Sequence, residues 1–157
     1  MHITAKVDYA VRAAAELAAH QVAAGGGRAP CKGGDLAAAQ GIPARFLETI
    51  LADLRRGGIV SSQRGTDGGY WLARPAAEVT VADVIRAVEG PLADVHGQPP
   101  ESVSYDGAAT ALQRVWIATR VALREVLETT SVADLAAGSL PPHIDALADR
   151  PDGWTRR

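Results

Sequence analysis

Apolar side chains recur at intervals of three and four residues along most of the chain, which is the spacing that buries one stripe of an α-helix. This pattern predicts helices over about 3–24, 35–40, 43–56, 80–90 and 108–130. Glycine follows most of these stretches, as expected at helix ends. Thr80 and Asp83 have the spacing of a capping box, which marks the start of the fourth helix.

Two short runs, 59–63 and 70–74, break the helical pattern and flank a glycine-rich segment. Such runs are typical of a β-hairpin with a flexible tip. The segment 91–107 contains three prolines and two glycines and is predicted to be a loop. The tail after Gly138 is predicted to be irregular or docked on the surface. The predicted fold class is therefore mainly α with a small β-hairpin.

The segment 36–50 has the spacing of a helix-turn-helix. Ala37 is small where two helices must touch, and Gly41, four residues later, permits a left-handed turn. Leu47 and Ile50 would then pack the second helix back against the first. Because a hairpin follows directly, the sequence predicts a winged helix-turn-helix, a DNA-binding arrangement.

The second helix of this unit divides into an apolar and a polar face at about 100° per residue. The polar face carries Arg45, Thr49, Ala52 and Arg56, which suits a helix that enters a major groove about 12 Å wide. Arg64 stands at the hairpin tip, where it suits the narrow, electronegative minor groove. A solvated helix face and a plain hairpin with a soluble arginine are the alternatives. The pattern of a nucleotide-binding phosphate loop is absent.

Residues 1–90 resemble the Rrf2 (Rrf-two) family of bacterial winged-helix transcription regulators. The resemblance lies in the first helix, the helix-turn-helix, the hairpin and the fourth helix: KVDYAVR at 6–12, GIP at 41–43, FLE at 46–48, IL at 50–51, LR at 54–55, GIVSS at 58–62, RG at 64–65, GGYWLAR at 68–74, TV at 80–81, VI at 84–85 and VEG at 88–90. The long helix predicted near 108–130 fits the family's dimerisation helix in position and length.

This resemblance implies a homodimer that binds a pseudo-palindromic operator in double-stranded DNA, with the recognition helix in the major groove and the wing in the minor groove. Together with the basic positions on the helix and the wing, the predicted DNA-binding residues are Ala44, Arg45, Phe46, Glu48, Thr49, Arg56, Arg64 and Gly65. The apolar stripe of the long helix predicts a dimer interface at Leu112, Val115, Trp116, Leu123, Val126 and Leu127.

Four segments are predicted from these observations. A winged-helix domain spans 1–90, a loop spans 91–107, a dimerisation helix region spans 108–138 and a C-terminal tail spans 139–157. In several members of the family the loop before the dimerisation helix holds an iron–sulfur cluster through cysteines.

That loop contains no cysteine here. It offers Asp94, His96, Glu101 and Asp106, which are poor ligands for a cluster that needs thiolates. We therefore expect no cofactor and no metal. The single cysteine, Cys31, is expected to be a small buried side chain, with a redox-reactive thiol as the alternative.

Composition adds limits to this picture. The chain has 157 residues, of which 47% are apolar and 22% charged, as in a folded domain. It has no apolar run that could span a membrane and no secretory leader pattern, so the expected location is the cytoplasm. Residues 1–75 carry nine Lys and Arg against six Asp and Glu, whereas residues 76–157 carry seven against twelve. The predicted DNA-binding half is thus the basic one.

The sequence predicts a sequence-specific DNA-binding transcriptional regulator. It is expected to be a homodimeric repressor without a cluster, which responds to a small molecule, a thiol event or a partner protein. The alternative is a winged-helix module that binds protein and no longer binds DNA. An enzyme is the least favoured interpretation, because the sequence shows no nucleophile–base pair, paired carboxylates or metal-ligand spacing.

Overall fold

The computed structural model describes residues 2–155. Within them the helices are α1 (Ala5–Ala23), α2 (Gly33–Gln40), α3 (Ala44–Arg56), α4 (Val81–Glu89), α5 (Leu112–Leu127), α6 (Val132–Ala137) and α7 (Pro142–Ala148), and the strands are β1 (Val60–Gln63) and β2 (Gly69–Leu72). The strands pair antiparallel, and the predicted fold class is confirmed. None of the helices within 2–155 combines the length and the apolar character that crossing a membrane would require.

The structure corrects the predicted long helix. Instead of running from 108 to 130, α5 has 16 residues, from Leu112 to Leu127. A short 3-10 turn precedes it, and a new helix begins soon after it, because Ser131 and Asp134 form a capping box. The Ser131 hydroxyl accepts from the Asp134 N–H at 3.1 Å, and the Asp134 carboxylate accepts from the Ser131 N–H at 2.8 Å. This second capping box was not predicted from the sequence, whereas the predicted one at Thr80 is confirmed.

The loop and the tail are more regular than predicted. Val95 and Gln98 exchange two backbone hydrogen bonds, of 2.9 and 3.1 Å, around a tight turn in which His96 has a φ of +53°. In the tail, α7 begins at Pro142, whose fixed φ suits a first helical turn. Ile144 is the residue of α7 whose side chain is buried. Within 91–107 and after 138, local hydrogen bonding therefore gives defined shape to segments rich in proline.

The core forms around α1, which packs against α2, α3, α4, α6 and β2. Its buried stripe is built mostly from alanine, and these small side chains allow the neighbouring helices to approach closely: Val7, Ala10, Ala13, Ala14, Leu17 and Ala18. Val132 of α6 is fully buried in the same core. The segment after α5 therefore returns to complete the packing of the first 90 residues, whereas no side chain of α5 is itself fully buried.

An ion pair formed around a buried carboxylate joins α1, α3 and α4. Asp53 lies on the otherwise apolar face of α3, and its side chain is only 8% exposed. The Lys6 ammonium lies 2.6 Å from one carboxylate oxygen, and Arg56 pairs with the other. Lys6 also donates to the carbonyl of Val88 in α4 at 2.7 Å. The hydrogen bond from Lys6 holds the pKa of Asp53 below its ordinary value, against the opposing effect of burial.

We expect this carboxylate to contribute to acid sensitivity. Because its pKa is lower in the folded state than in the unfolded chain, its stabilising contribution is complete above about pH 4 and is lost as the pH falls through the folded value. Asp53→Asn should lower the free energy of unfolding near pH 7 by about 1–3 kcal/mol, because the half-buried Lys6 loses its charged hydrogen-bond partner. The difference from the unmodified protein should then shrink below about pH 4.

Urea unfolding between about pH 7 and pH 2 measures this difference. Asp67→Asn is the matched control, since Asp67 is an exposed residue at the hairpin tip. The control should follow the unmodified protein at every pH. A difference between Asp53→Asn and the unmodified protein that stays constant with pH would contradict the role of the ion pair.

Candidate nucleic-acid interface

The turn between α2 and α3 forms as the sequence predicts. Gly41 has φ +60° and ψ +35°, the left-handed conformation that glycine adopts without a steric cost. The next residue, Ile42, is buried, and its N–H donates to the carbonyl of Ala37 at 2.9 Å. Ala37 is itself buried where the two helices meet. Pro43 then lies at the cap position, so that α3 begins at Ala44.

The two faces of α3 are also as predicted, with one addition. Leu47, Ile50, Leu51 and Leu54 are buried, and Asp53 joins them. The residues predicted to contact DNA are exposed: Ala44, Arg45, Phe46, Glu48, Thr49 and Arg56. Ala52 is half-buried at the edge of this face. The helix therefore presents a short polar surface that begins at its first turn.

Contacts from α1 brace the start of α3. Phe46 is 40% exposed and meets the ring of Tyr9 edge to face, with 5.6 Å between the ring centroids. The guanidinium of Arg12 lies 5.4 Å from the centroid of Tyr9 and donates to both the backbone and the side-chain carbonyl of Gln40, the last residue of α2. These contacts fix the direction in which α3 leaves the turn.

The hairpin is held at its base and at its tip. At the base, Cys31 and Tyr70 exchange two backbone hydrogen bonds of 2.8 Å, which add a third extended segment beside β2. At the tip, the Lys32 ammonium donates to the carbonyls of Gly65 and Thr66 at 3.0 and 2.5 Å. This tether was not predicted from the sequence, because it joins residues more than thirty positions apart.

Basic side chains gather between α3 and the hairpin. Lys32, Arg55 and Arg64 line a shallow cavity of about 350 Å³ at the foot of the wing. Arg55 donates to the hydroxyl of Ser62 at 3.4 Å and thereby connects the end of α3 to β1. Lys32 and Arg55 were not among the predicted site residues. The basic character of both positions was the available signal, but the contact with the hairpin depends on the fold.

The arginines predicted to bind DNA differ in whether their side chains already have a partner. Arg45 and Arg64 are exposed, and within residues 2–155 neither side chain has a hydrogen-bond or ion-pair partner. Arg56 is exposed as well, but it pairs with Asp53 at the end of α3. Two unpaired guanidinium groups, one on the helix and one at the tip of the hairpin, are therefore available to an anionic partner.

Comparison with known proteins identifies the family. The family model described as "Rrf2: Iron-dependent Transcriptional regulator" matches residues 3–138. The chain belongs to the Rrf2 family. Its relatives include the Mycobacterium tuberculosis protein named "Putative HTH-type transcriptional regulator Rv1287", which is 50% identical over 149 residues, a match that covers 95% of this chain and 89% of that protein.

Solved structures of Rrf2 regulators share the fold. CymR, the global cysteine regulator of Bacillus subtilis, has a TM-score of 0.71 at 32% identity, with 88% of this chain and 98% of CymR covered. IscR of T. potens has a TM-score of 0.66 at 28% identity, with 100% and 93% covered. The winged-helix fold and the assignment to transcription regulators rather than enzymes are thus confirmed.

The described residues do not fit the iron that the Rrf2 description names. Between residues 2 and 155, no group of three or more His, Cys, Asp or Glu side chains is arranged to hold a metal ion. The single thiol, Cys31, is buried beside the hairpin. Burial, followed by the charges of Asp35 and Glu16, raises its pKa and so disfavours the thiolate. Its redox role stays a prediction, in an environment that does not favour it.

The predicted dimer residues divide between two sides of α5. Val115 is 52% exposed, whereas Trp116, Leu123 and Leu127 are half-buried against the body of the chain. Trp116 donates from its indole to the hydroxyl of Tyr105 at 3.1 Å. The exposed side of α5 also carries small or apolar residues at helical spacing: Ala118, Thr119, Val121 and Ala122.

The backbone at the base of the wing requires glycine at position 69. Gly69 has a φ of +152°, and a Cβ added there would lie 2.6 Å from the carbonyl oxygen of Cys31. We expect Gly69→Ala to push the hairpin away from that segment and to lower the free energy of unfolding by about 1–3 kcal/mol. The Tyr70 N–H, which donates to Cys31, should then exchange with solvent faster, as measured by hydrogen exchange.

Gly34→Ala is the matched control for this substitution. Gly34 lies in the first turn of α2 with open space around its Cα, so alanine there should leave stability unchanged or raise it. If Gly69→Ala and Gly34→Ala gave equal stability and equal exchange at Tyr70, the close approach at the wing base would play no part.

Proposed function

We propose that the protein is a sequence-specific DNA-binding regulator that acts in the cytoplasm as a homodimer on a pseudo-palindromic operator. The observation that carries this proposal is the pair of exposed, unpaired arginines, Arg45 on α3 and Arg64 on the wing. In this arrangement α3 lies in the major groove, where Arg45 reads a base edge, and the wing tip follows the minor groove.

Each neighbouring residue has a role in this proposal. The exposed face of α3 that borders the base edges carries Ala44, Glu48 and Thr49. Phe46 packs on Tyr9 and lies beside the sugar–phosphate backbone of one DNA strand. Gly65 lets the wing approach closely. Lys32, Arg55 and Arg56 neutralise phosphates, which fixes the position of the protein but reads no sequence.

The exposed side of α5 supports the dimer. Val115, Ala118 and Ala122 form an apolar stripe that the chain itself leaves uncovered, and a second copy of α5 would cover it. Leu112 and Val126 flank the stripe, while Trp116, Leu123 and Leu127 support the helix from its inner side. Occupation of an operator by such a dimer obstructs transcription without any further contact, so repression is the simplest outcome.

Binding to an operator selected by the protein from genomic fragments tests the two arginines. Arg45→Ala should cost about 1–3 kcal/mol and relax specificity at one base pair of each half-site. Arg64→Ala should weaken binding most on A·T-rich flanks and reduce the slope of log affinity against log salt by about one. Fluorescence anisotropy over a salt series measures both effects.

Arg150→Ala is the matched control, since Arg150 is exposed but lies beyond α7 and pairs with Asp152. Its affinity should equal that of the unmodified protein. Equal affinity of the Arg45, Arg64 and Arg150 variants would refute the DNA-binding surface and favour the alternative, a module that binds protein.

The dimer is tested by Val115→Asp. Val115 is exposed in the single chain, so a carboxylate there should dissociate the dimer without unfolding the protein. The matched control is Val22→Asp, because Val22 is 74% exposed on α1, outside the proposed interface. Sedimentation at micromolar concentration should show a monomer for the first variant and a dimer for the second. A dimer in both cases would place the interface elsewhere.

A further inference from the structure

Under the first part of the loop, between α4 and α5, lies a recess of about 140 Å³. Three arginines line it, Arg86 from α4 and Arg120 and Arg124 from α5. The rest of the wall comes from the loop: Pro91, Leu92, Ala93, Asp94, Gly97 and Pro99. The wall therefore carries three positive charges and one negative charge.

Carboxylates beside the recess occupy only part of these guanidinium groups. Glu101 accepts from Arg120 at 2.5 Å. Glu128 pairs with Arg86 and lies 3.6 Å from Nε of Arg124. Asp83 lies 3.7 Å from Arg86 but also pairs with Arg74. Each guanidinium has five N–H donors, so most of them remain without an acceptor.

Asp94 contributes the one negative charge of the wall, and it is already engaged. Its carboxylate accepts from the N–H of Gly97 at 2.8 Å and so stabilises the loop. The wall consequently offers donors from three sides, with its own carboxylate tied to the backbone.

One of these donors is buried without a partner. Within residues 2–155, Nε of Arg120 is inaccessible to solvent and has no hydrogen-bond acceptor, although its side chain as a whole is 18% exposed. Because solvent cannot reach Nε, this atom does not face the open recess, and a ligand there meets the terminal N–H groups of the arginines instead. Because three arginines line the same recess, an anion is favoured over a neutral molecule as its ligand.

We propose that this recess binds a small oxyanion, such as phosphate, sulfate or a small carboxylate, through Arg86, Arg120 and Arg124. Planar guanidinium groups match oxyanions in paired hydrogen bonds, which chloride cannot accept in the same geometry. A cavity of about 150 Å³ holds a molecule the size of benzene, so the recess has room for an ion of about five to seven non-hydrogen atoms.

The recess lies where the winged-helix core meets the proposed dimer helix. An anion there connects α4, which belongs to the winged-helix core, to α5, the proposed dimer helix. Its role as the signal that the regulator senses rests on the proposed function, whereas the binding itself does not.

Calorimetric titration of the free protein tests the site without DNA. Sulfate, inorganic phosphate and malonate are titrated separately at constant ionic strength in chloride. We expect saturable binding of at least one of them, one per chain, with a Kd below about 1 mM. Preference for the tetrahedral ions or for malonate identifies the class of ligand.

Substitutions locate the binding. Arg120→Gln and Arg124→Gln should each weaken it about tenfold or more, because each removes charge-assisted hydrogen bonds. Arg114→Gln is the matched control, since it makes the same charge change on the same helix but does not line the recess. It should bind as the unmodified protein does.

A second readout does not depend on any variant. In protein with ¹⁵N-labelled arginine, the Nε–H resonance of Arg120 should shift on addition of the bound anion, because the anion engages the terminal N–H groups of the same guanidinium. No saturable binding with a Kd below about 1 mM, equal weakening in the Arg114 variant, or an unchanged Arg120 resonance would overturn the proposal. If the protein binds the anion but does not bind DNA, the anion site stands and only the proposed function is refuted.

Discussion

The contact between Lys6 and Asp53 is the interaction on which the geometry of the proposed DNA-binding surface depends, since one ammonium connects three helices. It lies 2.6 Å from a carboxylate on the buried side of α3 and 2.7 Å from a carbonyl of α4, while Lys6 itself belongs to α1. Apolar packing alone has no direction, and leucine side chains would tolerate small rotations of α3. A hydrogen-bonded charge pair tolerates much less, because a rotation would leave a buried charge without its partner. The rotation of α3 about its axis decides whether Arg45 faces outward.

Much of the fold could be predicted because it follows from local spacing. The left-handed turn at Gly41, the buried leucines of α3 and the capping box at Thr80 are each determined within a few residues. The helix limits around α5 could not be predicted as well. There the apolar pattern continues past Leu127, but the capping box at Ser131 competes with it and starts a new helix.

The site was predictable in part for the same reason. Exposure of Arg45 and Arg64 follows from helical periodicity and from the position of a turn. The tether from Lys32 to the wing tip and the contact of Arg55 with Ser62 join residues that are distant in sequence, so no local pattern reveals them. The buried Asp53 is a similar case, because a charged residue in a helix is normally expected to face solvent.

The proposed place of the wing in the minor groove can be measured by DNA cleavage from its tip. An iron chelate that cleaves DNA can be attached to a cysteine introduced by Thr66→Cys at the exposed tip, because the native Cys31 is buried. On an operator selected by the protein, we expect cuts only in the flanks of each half-site. The cuts on the two DNA strands should be offset toward the 3′ sides, as cleavage from the minor groove requires. Cuts offset toward the 5′ sides, or uniform cutting along the DNA, would contradict the proposed place of the wing.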